Sequence, residues 1–456
     1  MSELGEAIAT YHSLLSDEMA SQSQGQLTQQ LHRRQLFFGE RPLCTVLRPR
    51  FLTVGQYQLL QQAIREVMPA FAKAHQAALA DPRFRLQFRL SDWEEELIQV
   101  EPRFSAPSPT ARMDTFFTTN DSAGQAGLYF AEYNAETPAA VAYNDSLSEV
   151  FLALPVMGAF QRRYETRLLP ARQHVLHALL DSYYQWGGRQ RPRIAILDWR
   201  EVPTYSEFML FQEYFISQGY DCVIADPRQL EYRDGELLVD GVTPVHLIYK
   251  RVLLSELVNR EGLDHPVIRA VREHAVCMVN PFRCKLLHKK ASFAVLSDER
   301  NAHLFSHAER RAIGRFIPWT RLVEERRTAY RGQTIDLLPY LSSHKDDFVL
   351  KPNDEYGGTG IVLGWETPQE QWEAALQNAL REAYIVQQRV PIPHEAYPSL
   401  VEGSLQIYDR LMDTNPYIWY GEFVSGCLTR LSTAVLLNVT AGGGSAVPTF
   451  IIEKRS

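Results

Sequence analysis

The sequence predicts a mixed α/β protein (α+β mixed) built from several closely joined subdomains. Three observations carry that expectation. The hydrophobic period switches from three or four residues to two across the turn-rich joint SAPSPTA at 105–111. Beyond Pro192, apolar strand-like runs flank a helix, the pattern of an α/β unit. The C-terminal third closes with long strand-like stretches, YIWYGEFVSG and LTRLSTAVLLNVTAGGGSAVPTFII.

Composition bounds this picture. A length of 456 residues allows roughly three domain-sized pieces. With 45% hydrophobic and 22% charged residues the chain can bury a large core, which excludes intrinsic disorder for most of it. Only 25 Gly and 25 Pro exclude collagen-like and low-complexity classes. The 47 Lys and Arg against 54 Asp and Glu give a net charge of −7, so no global basic field draws the chain to nucleic acid or anionic lipid, and neither is expected as a partner. The opening MSELGEAIATYHSLLSDEMA has no apolar signal-type core, and no run approaches the roughly 18 apolar residues of a membrane span. Cys44, Cys222, Cys277, Cys284 and Cys427 are scattered and lack C-x-x-C spacing, so reduced, buried thiols and a cytoplasmic location are expected. Oligomeric state is not legible at this level.

In chain order, residues 1–105 read as mainly helical. Leu14, Leu15 and Met19 recur at helical spacing, a Gln/Ser-rich stretch precedes LTQQLHRRQLFF, and Leu59, Leu60, Ile64, Val67 and Met68 mark a helix over Val54–Ala80. Residues 106–190 open with a β-hairpin, RMDTFF and LYFAEYN joined by TTNDSAGQAG. Over 191–275, RIAILDW and YDCVIAD are strands around the helix SEFMLFQEYFISQG, with DGELLVDG and VHLIYKR as further strands. Residues 276–456 hold NPFRCKLLHKKASF, the strand FVLKP with its glycine-rich turn, and the strand YIVQQRVP.

Two constellations carry chemistry. In the hairpin, i and i+2 share a face, so Arg112 with Asp114, and Glu132 with Asn134, can converge on one patch. Two carboxylates and an amide are hard oxygen donors suited to Mg²⁺, and an arginine fork suits a phosphoryl group; the same strings also fit an exposed hairpin with ordinary salt bridges. In FVLKPNDEYGGTG, a strand end delivers Lys351 ahead of Gly357, Gly358 and Gly360. Such a loop can close over phosphates, or simply be a turn whose glycines supply positive φ. It is neither a Walker A loop nor a dinucleotide fingerprint. Lys285, Lys289 and Lys290 lie either at a phosphate site or on a solvated helix face, and NVTAGGGSAVP adds a third glycine loop near Arg430, Ser432 and Asn438.

The ordered series RMD, EYNAETP, NPF…HKKA, VLKPNDEYGGTG, YIVQQRVP and NVTAGGGSAVP resembles the circularly permuted ATP-grasp family, including the synthetase domain of glutathionylspermidine synthase. It departs in Glu136, where those synthases carry Asp, and in the wording of the glycine loop. The resemblance implies a permuted ATP-grasp fold with a Rossmann-like subdomain, and ATP and Mg²⁺ as cofactors. It implies Asp114, Glu132 and Asn134 as metal ligands, and Arg112 and Arg430 as catalytic groups. Lys351 and Lys290, with Lys289 as the alternative, would bind ATP beneath a lid of Gly357, Gly358 and Gly360, and Gln387, Gln388, Arg389 and Val390 would line the adenine hinge, largely through backbone groups. Glu201, Glu207, Lys250 and Arg251 become substrate-side candidates. The implied activity is a carboxylate–amine ligase acting on a small-molecule or peptide acid and amine, with a phosphotransferase or a nucleotide-binding scaffold or sensor as alternatives.

Overall fold

The computed structural model describes residues 2–118, 127–355, 357–433 and 444–455. Two helices open the chain, α1 (Glu3–Leu14) and α2 (Asp17–Arg33). The break falls at Leu15–Ser16, because Ser16 is extended and its hydroxyl accepts from the Met19 amide; the Gln/Ser-rich stretch continues inside α2. Strand β1 (Arg50–Thr53) leads into α3 (Val54–Ala80), which starts on a Thr53–Gln56 capping box and spans the range its periodicity predicts. Leu60, Ile64, Val67 and Met68 are buried, whereas Leu59 is only partly covered. A short helix, α4 (Asp92–Leu97), turns Glu94 inward.

The period-two segment forms the expected hairpin, β2 (Thr110–Thr118) and β3 (Gly127–Asn134). Its turn, at 119–126, lies outside the described residues. After α5 (Val141–Ala153), the α/β unit supplies β4 (Ile194–Leu197), α6 (Tyr205–Ser217), β5 (Cys222–Ala225) and β6 (Leu247–Lys250). With β7 (Cys277–Val279) these make a parallel sheet in the order β7-β6-β4-β5, which therefore extends past residue 275. DGELLVDG is also a strand, Glu236–Val239, but in a separate three-stranded antiparallel sheet.

Two short helices follow, α7 (Lys285–His288) and α8 (Ala291–Ser297). Strands β8 (Thr320–Leu322), β9 (Phe348–Pro352), β10 (Val362–Leu363) and β11 (Tyr384–Gln388) then form a small antiparallel sheet in the order β8-β11-β9-β10. Helix α9 (Gln369–Arg381) backs it, with Trp372 and Leu376 packed against Phe348 and Leu350. The chain closes with β12 (His394–Val401), β13 (Ser404–Trp419), β14 (Phe423–Ser432) and β15 (Ser445–Lys454).

These last strands join the hairpin and β1 in one eight-stranded sheet whose main path is β1-β15-β14-β13-β2-β3. Tyr417 of β13 faces Arg112 of β2, so an early hairpin is knitted to the C-terminal third. The N-terminal helical region is part of the same body, since β1 pairs in parallel with β15 and α3 buries Phe71 against Tyr133. Among the described residues no helix is long and apolar enough to cross a membrane, and all five cysteines are buried free thiols.

Candidate active site

A cleft opens between the small sheet and the eight-stranded sheet. Its walls carry Asp114 and Glu132 from the hairpin, Lys351 from β9, Gly357 and Gly358 from the loop, residues 387–390 and Arg430. A larger hollow of about 460 Å³ shares only residues 388–390 with this cleft and holds none of the acids or lysines of the motif. The chemistry therefore sits in the smaller, more enclosed space.

The hairpin register places Arg112 opposite Asn134 and Asp114 opposite Glu132, so all four meet as the i, i+2 spacing requires. Arg112 Nε donates to Asp114 Oδ1 at 2.8 Å, and its Nη1 donates to the Ala139 carbonyl at 3.0 Å. From β14, Arg430 Nη2 donates to Asp114 Oδ2 at 2.7 Å and also pairs with Asp413. Burial pushes the Asp114 carboxyl up, but the two guanidiniums outweigh it and hold it at about 2. Asp413, which the sequence did not single out, lies under Arg430, directly opposite it on β13; burial raises its carboxyl even though Arg430 pulls the other way.

The lysines divide sharply. Lys290 Nζ stands 3.2 Å from Glu132 Oε1 and donates to the Glu355 carbonyl in the glycine loop at 2.6 Å. Lys289 turns away, to Glu94 at 2.8 Å and Asp354 at 3.3 Å. The divergence is local: α7 ends at His288, Lys289 has extended ψ of 130°, and Lys290 opens the next helix. Asn353 fixes that opening, because its carbonyl accepts from Lys290 N and its side chain from Ala291 N. Two residues earlier, Lys351 Nζ donates to Gln387 Oε1 at 2.7 Å and to the Ala131 carbonyl at 3.3 Å. Burial lowers the Lys351 ammonium to about 8; Glu132 opposes that and Lys290 reinforces it.

In the loop, Gly357, Gly358 and Gly360 all have positive φ. The first two face the cleft, whereas a Cβ on Gly360 would lie 2.7 Å from Pro352 Cγ, so that glycine serves the loop's base. Along the hinge the backbone amides of Gln388 and Arg389 are already committed to the Trp319 and Asp347 carbonyls, and it is the Gln387 side chain that faces Lys351. The expected backbone role therefore narrows to what those two amides leave. Arg389 lies over the Trp365 ring at 4.2 Å. Ser432 is buried two residues beyond Arg430; Asn438 and most of the third glycine loop, at 434–443, lie outside the described residues.

The substrate-side candidates are placed differently from expectation. Lys250 is buried against Glu136 at 3.2 Å, and Glu207 is buried with its carboxylate accepting from Ala140 N and Ala142 N at the start of α5. Arg251 donates to the Pro138 carbonyl and pairs with Glu207, so these three hold the 136–142 turn. Glu201 is on the surface with Arg228 and Arg260. Lys285 is no solvated face either: it is buried among Glu136, Asp354 and Glu94. The departure residue Glu136 is thus an interior ion-pair centre, with burial overcome by Lys250 and Lys285 so that its carboxyl is driven far below the usual range.

For a hard cation, the donor set is two carboxylates and one amide. Among the described residues no three His, Cys, Asp or Glu side chains gather as a metal cluster. Mg²⁺, however, commonly uses one or two carboxylates together with phosphate and water. Asp114 and Glu132 both line the cleft and sit opposite each other across the hairpin, which supplies two carboxylates to open space. These residues fit Mg²⁺, with Asp114 clasped by its arginines alongside.

No protein-family model and no curated protein matches the sequence. Among solved structures, the chain shares the fold of a glutathione synthetase-like effector from Globodera pallida in its apo form. The TM-score is 0.62 at 11% identity, over 96% of this chain and 99% of that one. The D-alanyl-alanine synthetase A of Vibrio cholerae O1 biovar eltor is a looser match, with a TM-score of 0.30 at 10% identity over 57% of this chain and 74% of that one, too low to bear on the fold.

Proposed function

We propose that the protein is an ATP- and Mg²⁺-dependent carboxylate–amine ligase of the circularly permuted ATP-grasp kind. The observation that carries this reading is one cleft beneath a glycine loop lined by Asp114, Glu132, Lys351 and Arg430, with Arg112 paired to Asp114 and Lys290 to Glu132 behind its wall. The order of the acids before the lysines in the chain supports the permuted arrangement.

In this reading Lys290 and Lys351 hold the ATP phosphates, and the glycine loop covers them against water. Glu132 and Asn134, beside Asp114, would hold Mg²⁺, which supplies charge neutralisation at the phosphate oxygens when bound. A substrate carboxylate oxygen attacks the γ-phosphorus as the bond to ADP breaks. Arg112 and Arg430 stabilise the charge on the transferred group. An amine then attacks the acyl carbon, loses a proton and expels phosphate, leaving an amide. The acid and amine are small metabolites or peptides.

The test is ADP and phosphate release by the purified protein on pairs of candidate acids and amines, with mass spectrometry of the product. An amide with stoichiometric ADP supports the ligase, and Asp114→Ala and Lys351→Ala each abolish it; wild-type turnover in both variants overturns the site. A phosphorylated product without an amide assigns a phosphotransferase, and MgATP binding without turnover a nucleotide sensor.

A further inference from the structure

A directed chain of hydrogen bonds crosses three strands of the small sheet and ends on Lys351. Lys351 Nζ donates to Gln387 Oε1 at 2.7 Å, Gln387 Nε2 donates to Thr320 Oγ1 at 3.1 Å, and the Thr320 hydroxyl donates to the Pro318 carbonyl at 2.8 Å. Thr320 of β8 is the direct cross-strand partner of Gln387 of β11; on its other side Gln387 faces Val349, two residues before Lys351 on β9. Lys351 is therefore the diagonal neighbour of Gln387 on one face of the sheet.

The polarity of this chain is set from both ends. An ammonium has donors only, so Lys351 requires the amide oxygen. The Thr320 proton is committed to Pro318, so its oxygen is left as an acceptor and requires the amide nitrogen. Gln387 is 3% exposed and Thr320 0%, so water does not scramble the arrangement.

The partner chosen for Lys351 is a dipole and not a charge. Lys290, behind the cleft wall, meets the Glu132 carboxylate, whereas the hydrogen-bond acceptors of Lys351 are an amide and a backbone carbonyl. A glutamate at 387 would accept from the ammonium but neutralise it, and would have no N–H to donate to the Thr320 oxygen. We propose that Gln387 and Thr320 are positioning residues for Lys351, an amide relay that aims its ammonium into the cleft while keeping it out of direct contact with a carboxylate, ready for a polyphosphate. This rests on the ATP reading above and gives the Gln387 side chain a role separate from the adenine hinge.

The test is calorimetric titration of the full chain with MgATP and, separately, AMP. Losing one hydrogen bond to a charged group corresponds to about a tenfold change in affinity. Thr320→Val lowers MgATP affinity about tenfold and leaves AMP affinity unchanged; Thr320→Ser, which restores the hydroxyl, returns it to within about twofold of wild type. Gln387→Glu, nearly the same size, lowers MgATP affinity by more than about tenfold with AMP again unchanged. Wild-type MgATP affinity in Gln387→Glu overturns the relay alone, as does an equal loss of MgATP and AMP, which marks a structural role. A wild-type protein that binds neither nucleotide overturns the ATP reading and the relay with it.

Discussion

Lys289 and Lys290 are consecutive in the chain and belong to two different regions. Lys289 joins Lys250 and Lys285 in an interior network with Glu94, Glu136 and Asp354, three cations against three acids. His288 also touches Glu136, but burial holds its imidazole neutral by lowering it from its ordinary range. Lys290 joins Arg112, Arg430 and Lys351 around Asp114, Glu132 and Asp413, four cations against three acids, one of them buried and raised. The balanced set has nothing left to offer a ligand, and its members come from α4, the 136–142 turn, β6, α7 and the glycine loop, so it ties those segments together. The set around the cleft keeps a surplus of positive charge, with Lys351 and Arg430 on the cleft wall, the condition for holding a polyanion.

The largest effect expected from breaking this contrast is in the network. Glu136→Ala leaves Lys250 and Lys285 short of their shared carboxylate in the interior, a loss of roughly 3–5 kcal/mol in urea unfolding. A change under about 1 kcal/mol would show that the network does not hold the fold.

In the cleft the sign reverses. The Lys351 ammonium titrates at about 8 in the folded protein, below the ordinary lysine value of 10.5. The unfolded chain therefore holds that proton more firmly, so the buried charge costs stability fully below pH 8, and the cost fades as pH rises toward 10.5. Lys351→Met is expected to be more stable than wild type at pH 7, by up to about 3 kcal/mol, with the gap closing by pH 10.5. Thermal unfolding of both proteins across that range checks it; a destabilised variant at pH 7 contradicts it.

A smaller effect separates the arginine-clasped acid. Asp114 is ionised down to about 2 in the fold against 3.8 ordinarily, so its contribution is complete above pH 3.8 and is lost as pH falls through 2. That contribution is about 2 kcal/mol. Asp114→Asn should lack this part of the acid-induced loss, measured by urea unfolding at pH 5, 3 and 2. An unchanged pH slope in the variant would place the clasp elsewhere.

What the sequence made legible follows the same division. Helix α3 and the hairpin could be read because their periods, 3.6 and 2, report one apolar face each, and the i, i+2 rule carried Arg112, Asp114, Glu132 and Asn134 to one patch. Lys351 was legible because a strand end followed by glycines is a local signal. The network was not: Glu94, Glu136 and Asp354 lie far apart in the chain and have no common period, and Glu136 read as a mere substitution in a motif. Lys289 and Lys290 could not be separated, since the break in ψ at Lys289 that sends them apart is fixed by Asn353, which lies more than sixty residues downstream. Asp413 and Thr320 act across strands, opposite Arg430 and Gln387, a pairing set by the register. For Asp413 a usable signal was its alternation with Asn415 and Tyr417 on the strand that pairs with Arg112.

The most direct measurement compares the two neighbours. Lys289→Met and Lys290→Met are each titrated with MgATP and unfolded in urea. Lys290→Met is expected to stay folded and lose at least about tenfold in MgATP affinity, while Lys289→Met loses stability but binds MgATP like wild type in its folded form. The opposite assignment, or the same MgATP affinity in both variants, would contradict the division between a balanced interior and a cleft built for phosphate.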